Sequence, residues 1–309
     1  MQFNLRMMPV LTLALITTFA ACKKNNSGST DNSTEATTHA DDQNTVSTQF
    51  NQVANEVNLA LESSPSYSGR EQTPPVVICD ASVTFDSVSN PRTITITYDG
   101  SVICHPGWSR TGSIVLSMPQ NVQWKNAGAA ITVTYQNVKL KRILNNKSII
   151  INGAQTITNV SGGLLFNLAQ LQTITHTVAS NGMSIKFDDN STRTWQVARK
   201  HVFTFNNGIV MTISGNHTEG NNNAVAEWGL NRFGHSFTTS ITQPLVIRQD
   251  CSFRLTGGEV KHEGFATATA KFGLDINGNP TGCPGTGLYY MKLSWTGPGG
   301  NTFTTILPY

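Results

Sequence analysis

Five side chains stand out as able to grip a ligand. Trp108 and Arg110 fall in the segment Cys104–Gly112, Arg193 and Trp195 in Ser191–Trp195, and Trp228 follows Glu227 after the run Asn221-Asn222-Asn223. An indole face beside a planar guanidinium is the combination that stacks on sugar rings and organic cations. The plainer reading of the first two groups is structural, with Trp108 covering a disulfide and Arg110 paired to a carboxylate, and we adopt it for both. Trp228 reads equally as part of a ligand loop or of a plain surface loop.

Reaction chemistry finds little support. There is no G-x-S-x-G elbow, and His262-Glu263 lacks the second histidine of H-E-x-x-H. No P-loop or G-x-G-x-x-G opens a helix. A carboxylate pair for glycoside hydrolysis can be assembled from Glu219, Glu227, Asp188, Asp189, Glu259 and Glu263, but any β protein offers such choices. The seven histidines are scattered without metal-ligand spacing. Asp188-Asp189-Asn190 and Asp275-x-Asn277-Gly278-Asn279 are oxygen-rich, yet the second has glycine at the wrong position for a calcium loop and Pro280 after it, so both read as turns. No metal and no cofactor is expected.

The covalent chemistry is carried by five cysteines. Cys79, Cys104, Cys251 and Cys283 form an even set without C-x-x-C spacing, which favours two disulfides over zinc. Of the three possible pairings, Cys79–Cys104 and Cys251–Cys283 close short loops and are preferred. The fifth, Cys22, ends an uncharged run from Met7 to Ala21 that follows Arg6. That run is too short to span a bilayer and reads as an export leader. Its ending, Phe19-Ala20-Ala21-Cys22, resembles the bacterial lipobox, which implies acylation of the Cys22 thioether and cleavage before it. Several acyl chains on one residue moor a protein almost permanently, at ~0.8 kcal/mol per buried CH₂.

These residues need elements to position them. The chain has 309 residues, 13% of them charged, with a net charge of +3. That is too near zero to imply nucleic acid as a partner. Residues 1–21 are the leader, and 22–47, poor in apolar residues, read as a disordered tether. Phe50, Val53, Val57 and Leu61 recur at helical spacing, which predicts a short amphipathic helix over 48–64, capped by Ser47 or Thr48 and stopped before Pro65. From Val76 the period switches to two. Thr93–Tyr98 alternates threonine with apolar residues, and similar runs punctuated by Gly, Asn and Asp continue to the C-terminus. Residues 65–309 are thus expected to form an all-β body, with a division into about 65–178 and 179–309 as one option. Two stretches, Ile149–Thr156 and Met211–Thr218, each run a strand into Gly and on into more strand, which we read as repeated hairpin chemistry.

Cys79, the strand Thr93–Tyr98, the segment Cys104-His105-Pro106-Gly107-Trp108-Ser109-Arg110-Thr111-Gly112 and the strand Ser113–Ser117 resemble a group of uncharacterised Bacteroidetes cell-envelope lipoproteins. Asn152-Gly153-x-x-Thr156-x-Thr158-Asn159, Ser191–Trp195, Pro244-Leu245-Val246-x-Arg248-x-x-Cys251 and Cys251-x-Phe253-x-x-x-Gly257-Gly258 extend the similarity. The resemblance implies an exported, β-rich lipoprotein and no particular activity. The expectation is an all-β antiparallel meander, sandwich or extended twisted sheet with one short N-terminal helix, tied to the outer membrane by acylated Cys22, facing periplasm or surface. The expected role is non-catalytic: a structural or binding module for a glycan or another envelope protein. A carbohydrate-active hydrolase using an Asp/Glu pair is the alternative. Oligomeric state is left open.

Overall fold

Alternation of apolar and polar residues over most of the chain builds strands with one buried face, and hairpin turns join them in chain order. The computed structural model describes residues 33–71, 76–101, 108–143, 146–283, 287–296 and 300–309. The leader, Cys22, Cys104 and the first part of the expected tether lie outside the described residues.

The described residues are mostly antiparallel β-sheet, with one long helix, α1 (Ser33–Glu62), near the N-terminus. The strands are β1 (Ala81–Asp86), β2 (Arg92–Asp99), β3 (Trp108–Met118), β4 (Ala129–Arg142), β5 (Ser148–Asn159), β6 (Thr173–Phe187), β7 (Thr192–Phe205) and β8 (Ile209–Gly215). They continue with β9 (His217–Glu219), β10 (Asn222–Leu230), β11 (Ser236–Arg248), β12 (Arg254–Glu263), β13 (Thr267–Leu274), β14 (Tyr290–Thr296) and β15 (Thr302–Pro308). All belong to one 15-stranded sheet, a meander except where β8 and β10 share the gap between β7 and β11. Residues 178 and 179 both fall inside β6, and the described residues belong to one compact unit. Cys251 and Cys283 are disulfide-bonded, with Cα atoms 5.1 Å apart. Cys79 is also disulfide-bonded.

The sheet is bent along a crease. Register slips at Thr111/Ser113, Tyr135/Val138, Asn152/Gln155 and Ser180/Met183 fall opposite one another on β3 to β7. Bulges insert an extra residue, raise the twist and bend the strand, so a row of them folds a sheet. Glycine is required in this row. Gly112 has φ +100°, and a Cβ there would meet the Asn137 carbonyl oxygen at 2.3 Å; Gly153 has φ +121° and abuts Met183 Cα at 2.9 Å. Gly153 therefore lies mid-strand in the crease rather than in a hairpin, which corrects the reading of the Ile149–Thr156 stretch.

The concave side holds α1. Phe50, Val53, Val57 and Leu61, the predicted stripe, are all buried in a core with β2 to β7, and the Phe50 ring meets Tyr135 and Trp195 at 4.9 and 4.1 Å. Val57→Ala removes two methyl groups from this core and is expected to cost about 2 kcal/mol, measurable by urea unfolding. The helix extends well beyond the expected 48–64. Residues 33–47, assigned to a tether, are its first half, and Ser47 sits mid-helix with its hydroxyl bonded to Glu227 rather than acting as a cap. Among the described residues no helix is long and apolar enough to cross a membrane.

Candidate functional site

Strand β7 presents Arg193, Trp195, Val197, Arg199, His201 and Phe203 on one face, all buried. Strand alternation alone aims this mixed row at α1. Opposite it, a bulge between Val225 and Glu227 turns Ala226 and Glu227 together toward the concave side. Glu227 is the resulting hub. Its carboxylate accepts from Trp195 Nε1 at 2.7 Å and from Ser47 Oγ at 3.0 Å, and also from Arg199 and from Gln43 Nε2. Arg193 Nη2 lies 3.9 Å away and donates to Gln43 Oε1. Burial pulls the Arg193 guanidinium down to about 10, which still leaves it cationic at neutral pH.

A second charged centre fastens the other half of the helix. Arg110 donates to Asp80 through Nε at 2.6 Å and Nη2 at 2.5 Å, and to Glu56 at 2.6 Å, with its guanidinium 4.2 Å over the Tyr98 ring. Tyr98 donates its hydroxyl to the same Glu56. Burial works against the charge on Arg110, but its bonds to Asp80 and Glu56 prevail and hold it above its ordinary range. Near the helix start, Arg232 grips Asp42 at 2.7 and 2.5 Å, while Asn231 and His235 reach Glu35 at 2.7 and 2.8 Å. Burial raises the Asp42 carboxyl despite Arg232.

The helix does not fill the trough. A cavity of about 730 Å³ remains between α1 and the sheet. One wall is amide-rich: Gln49, Gln52, Asn55 and Asn58. The facing wall is apolar: Phe203, Met211, Ile247, Phe253, Leu255 and Tyr309. A smaller cavity of about 60 Å³ lies under the first half of α1 beside His39 and His262, whose rings are 4.1 Å apart. No protein-family model, curated protein or solved structure matches this chain.

Of the five residues singled out from the sequence, Trp108 alone lines the larger cavity, half-buried with the Arg142 guanidinium 5.0 Å from its ring. It and Arg110 belong to β3 rather than to a loop. Arg110, Arg193 and Trp195 are almost wholly buried and hold the helix. Trp228, the neighbour of inward-facing Glu227, stacks on His217 at 4.2 Å on the other side of β10.

The amides along α1 were missed, although their spacing at 51, 55 and 58, with 49 and 52 beside them, is a second helical stripe. The carboxylates considered for glycoside hydrolysis do not converge on the larger cavity. Glu227 is held by its four donors, Glu219 bonds His217, Glu263 bonds Lys261, Glu259 accepts from Thr242, and Asp189 caps its own turn through Ser191. Asp275 likewise accepts from the Asn277 and Asn279 amides, as a turn residue does. Among the described residues one acid–thiol cluster, Asp250 with Cys251 and Cys283, has metal-like spacing, but both sulfurs are in the disulfide.

Proposed function

We infer that this protein is a non-catalytic binding module of the cell envelope, moored through an acylated Cys22, with its ligand seated between α1 and the creased sheet. The observation that carries the reading is the cavity of about 730 Å³, a size in the range of ligand pockets, with one polar and one apolar wall. A concave, two-sided cavity suits a small molecule, the glycan side of the expectation, better than a protein surface. It also supports binding over hydrolysis. The carboxylates lining it are Asp41 and Glu56, and fifteen residues of helix hold them roughly 22 Å apart, against the ~5–10 Å of glycosidase pairs.

The binding reading is tested by native mass spectrometry of protein taken from its own membranes. A small-molecule adduct is expected on the wild type and at lower occupancy on Met211→Trp, which puts an indole into the cavity. Identical spectra without adduct would overturn it. The anchor has its own test: Cys22→Ala is expected to leave the leader uncleaved and to abolish acylation, so that intact mass and membrane partitioning both change. Unchanged mass would rule the anchor out.

A further inference from the structure

The two halves of α1 are fastened differently. Phe50, Val53, Val57 and Leu61 sink the second half into an apolar core. The first half carries no such stripe and is tied down through polar side chains. Glu35 holds Asn231 and His235, Asp42 holds Arg232, and Gln43 bridges Arg193 and Glu227. Between these ties sits His39, 5% exposed, its ring 4.1 Å from that of His262 on β12 and 4.9 Å from that of Phe237 on β11. The Arg193 guanidinium of β7 lies over the same Phe237 ring at 4.5 Å. A proton arriving on His39 would meet a second imidazole and a fixed cation. His39 Nε2 and His262 Nδ1 have no hydrogen-bond partner among the described residues. The carboxylates around them are committed elsewhere: Asp42 and Glu35 as above, Glu227 of β10 to Arg199 and Trp195, and Glu263 to Lys261. The contact therefore suits two neutral rings. Burial, then the charges of His262 and Arg193, keep His39 well below its ordinary value, and burial lowers His262 to about 4.

We propose that the contact of His39 with His262 is an acid-released latch, from which residues 33–47 lift while 48–62 stay docked. Lifting brings both rings to water, where an imidazole titrates near ~6.5. Below that value the open form binds protons that the closed form refuses, so falling pH favours opening. The share of His39 alone is about 25-fold in the open population between pH 7 and pH 5. Asp42 opposes part of it, since burial raises its carboxyl and the closed form keeps that proton. Local opening from a helix end needs no hinge, because stability is not uniform along an element. Ala36, His39, Ala40 and Gln43 roof the smaller cavity, so opening uncovers Ile241, Leu245, Val260 and Leu293 on its floor. The latch makes that floor accessible in acid and covered at neutral pH.

Amide hydrogen exchange of the whole protein at pH 7 and pH 5, read by peptide mass spectrometry and corrected for the intrinsic effect of pH, tests the latch. Peptides from 33–47 are expected to exchange ahead of those from 48–62, and their opening to rise about 25-fold on acidification. His39→Gln should cut the rise to the share of His262, and His39→Gln with His262→Gln should abolish it. The ratio between the two pH values is read within each protein, so a variant whose helix is looser throughout still answers. His176 and His201, which pack with Trp124 and Phe203, remain in the double variant. A rise that persists there, or no rise in the wild type, overturns the latch. Exchange of 33–47 and 48–62 in step at pH 5 assigns the acid response to unfolding of the whole body and overturns it as well.

Discussion

Glu227→Ala lowers stability by roughly 5 kcal/mol and loosens α1 from the sheet. Removing one partner of a buried ion pair costs about 3–5 kcal/mol, because the remaining charge stays buried without compensation. Here the loss strands Arg199 and, at longer range, Arg193, and it deprives Trp195 Nε1 of its acceptor. Urea unfolding measures the first effect. Limited proteolysis within Ser33–Glu62 measures the second, since Gln43 and Ser47 lose their contact with the sheet together. Glu227→Leu combined with Arg199→Met should recover much of the loss, because a matched apolar pair removes both desolvated charges. A drop below about 1 kcal/mol for the alanine variant would mean that the carboxylate is hydrated and the helix is held by apolar contacts alone.

Acidification from pH 7 to pH 5 is expected to cost about 4 kcal/mol through His176 and His201, with His39 acting in the same direction. Burial lowers His176 to about 4 and His201 to about 3, and it places His39 well below its ordinary value. The unfolded chain titrates near ~6.5. Between these values the unfolded state binds protons that the folded state refuses, so stability falls with falling pH and levels off once the folded pKa is reached. His176 and His201 each contribute about 2 kcal/mol of loss by pH 5. His262 is lowered too, to about 4, but its side chain is partly exposed and adds less. Asp42 and Glu62 act in the opposite direction: burial raises both carboxyls, so their share of stability grows as the pH falls. The histidine loss approaches the lower end of an ordinary domain's stability, ~5–15 kcal/mol, so the protein should be markedly easier to unfold at pH 5. Denaturant titrations across pH 4–7 check it, and His201→Leu should remove about 2 kcal/mol of the loss. A flat profile over that range would show that these rings are hydrated in solution.

The two expectations share a cause. The inner face of β7 and the facing side of α1 carry ionisable groups where a simple core would carry aliphatic ones, and each group is held in a fixed state by its neighbours. This is a costly way to dock a helix if docking were the only purpose, because an apolar helix would do it with less desolvation. It is consistent with a helix whose second stripe, the amides from Gln49 to Asn58, faces a cavity rather than a core.

What the sequence determined by itself was local. The period-two run Thr93–Tyr98 became β2, and the stripe Phe50, Val53, Val57, Leu61 became the buried face of α1, because burial of one face imposes a period on any strand or helix. Cys251 and Cys283, close in sequence, are joined. What only the tertiary structure decided depends on partners distant in the chain. Residues 33–47 carry no apolar stripe, and their helix is held by side chains such as His39, Asp42 and Gln43 meeting Phe237, Arg232 and Glu227 nearly two hundred positions away. Arg193 and Trp195 suit a binding surface by type and read as structural, but their partner was not visible: the β10 bulge brings the Glu227 carboxylate to meet them. The crease itself was invisible, since each bulge is a one-residue slip whose meaning appears only when Gly112 on β3 and Gly153 on β5 are aligned on either side of β4. Periodicity reports which face of a segment is buried; what lies against that face is set by register and curvature, and those arise from the assembled sheet.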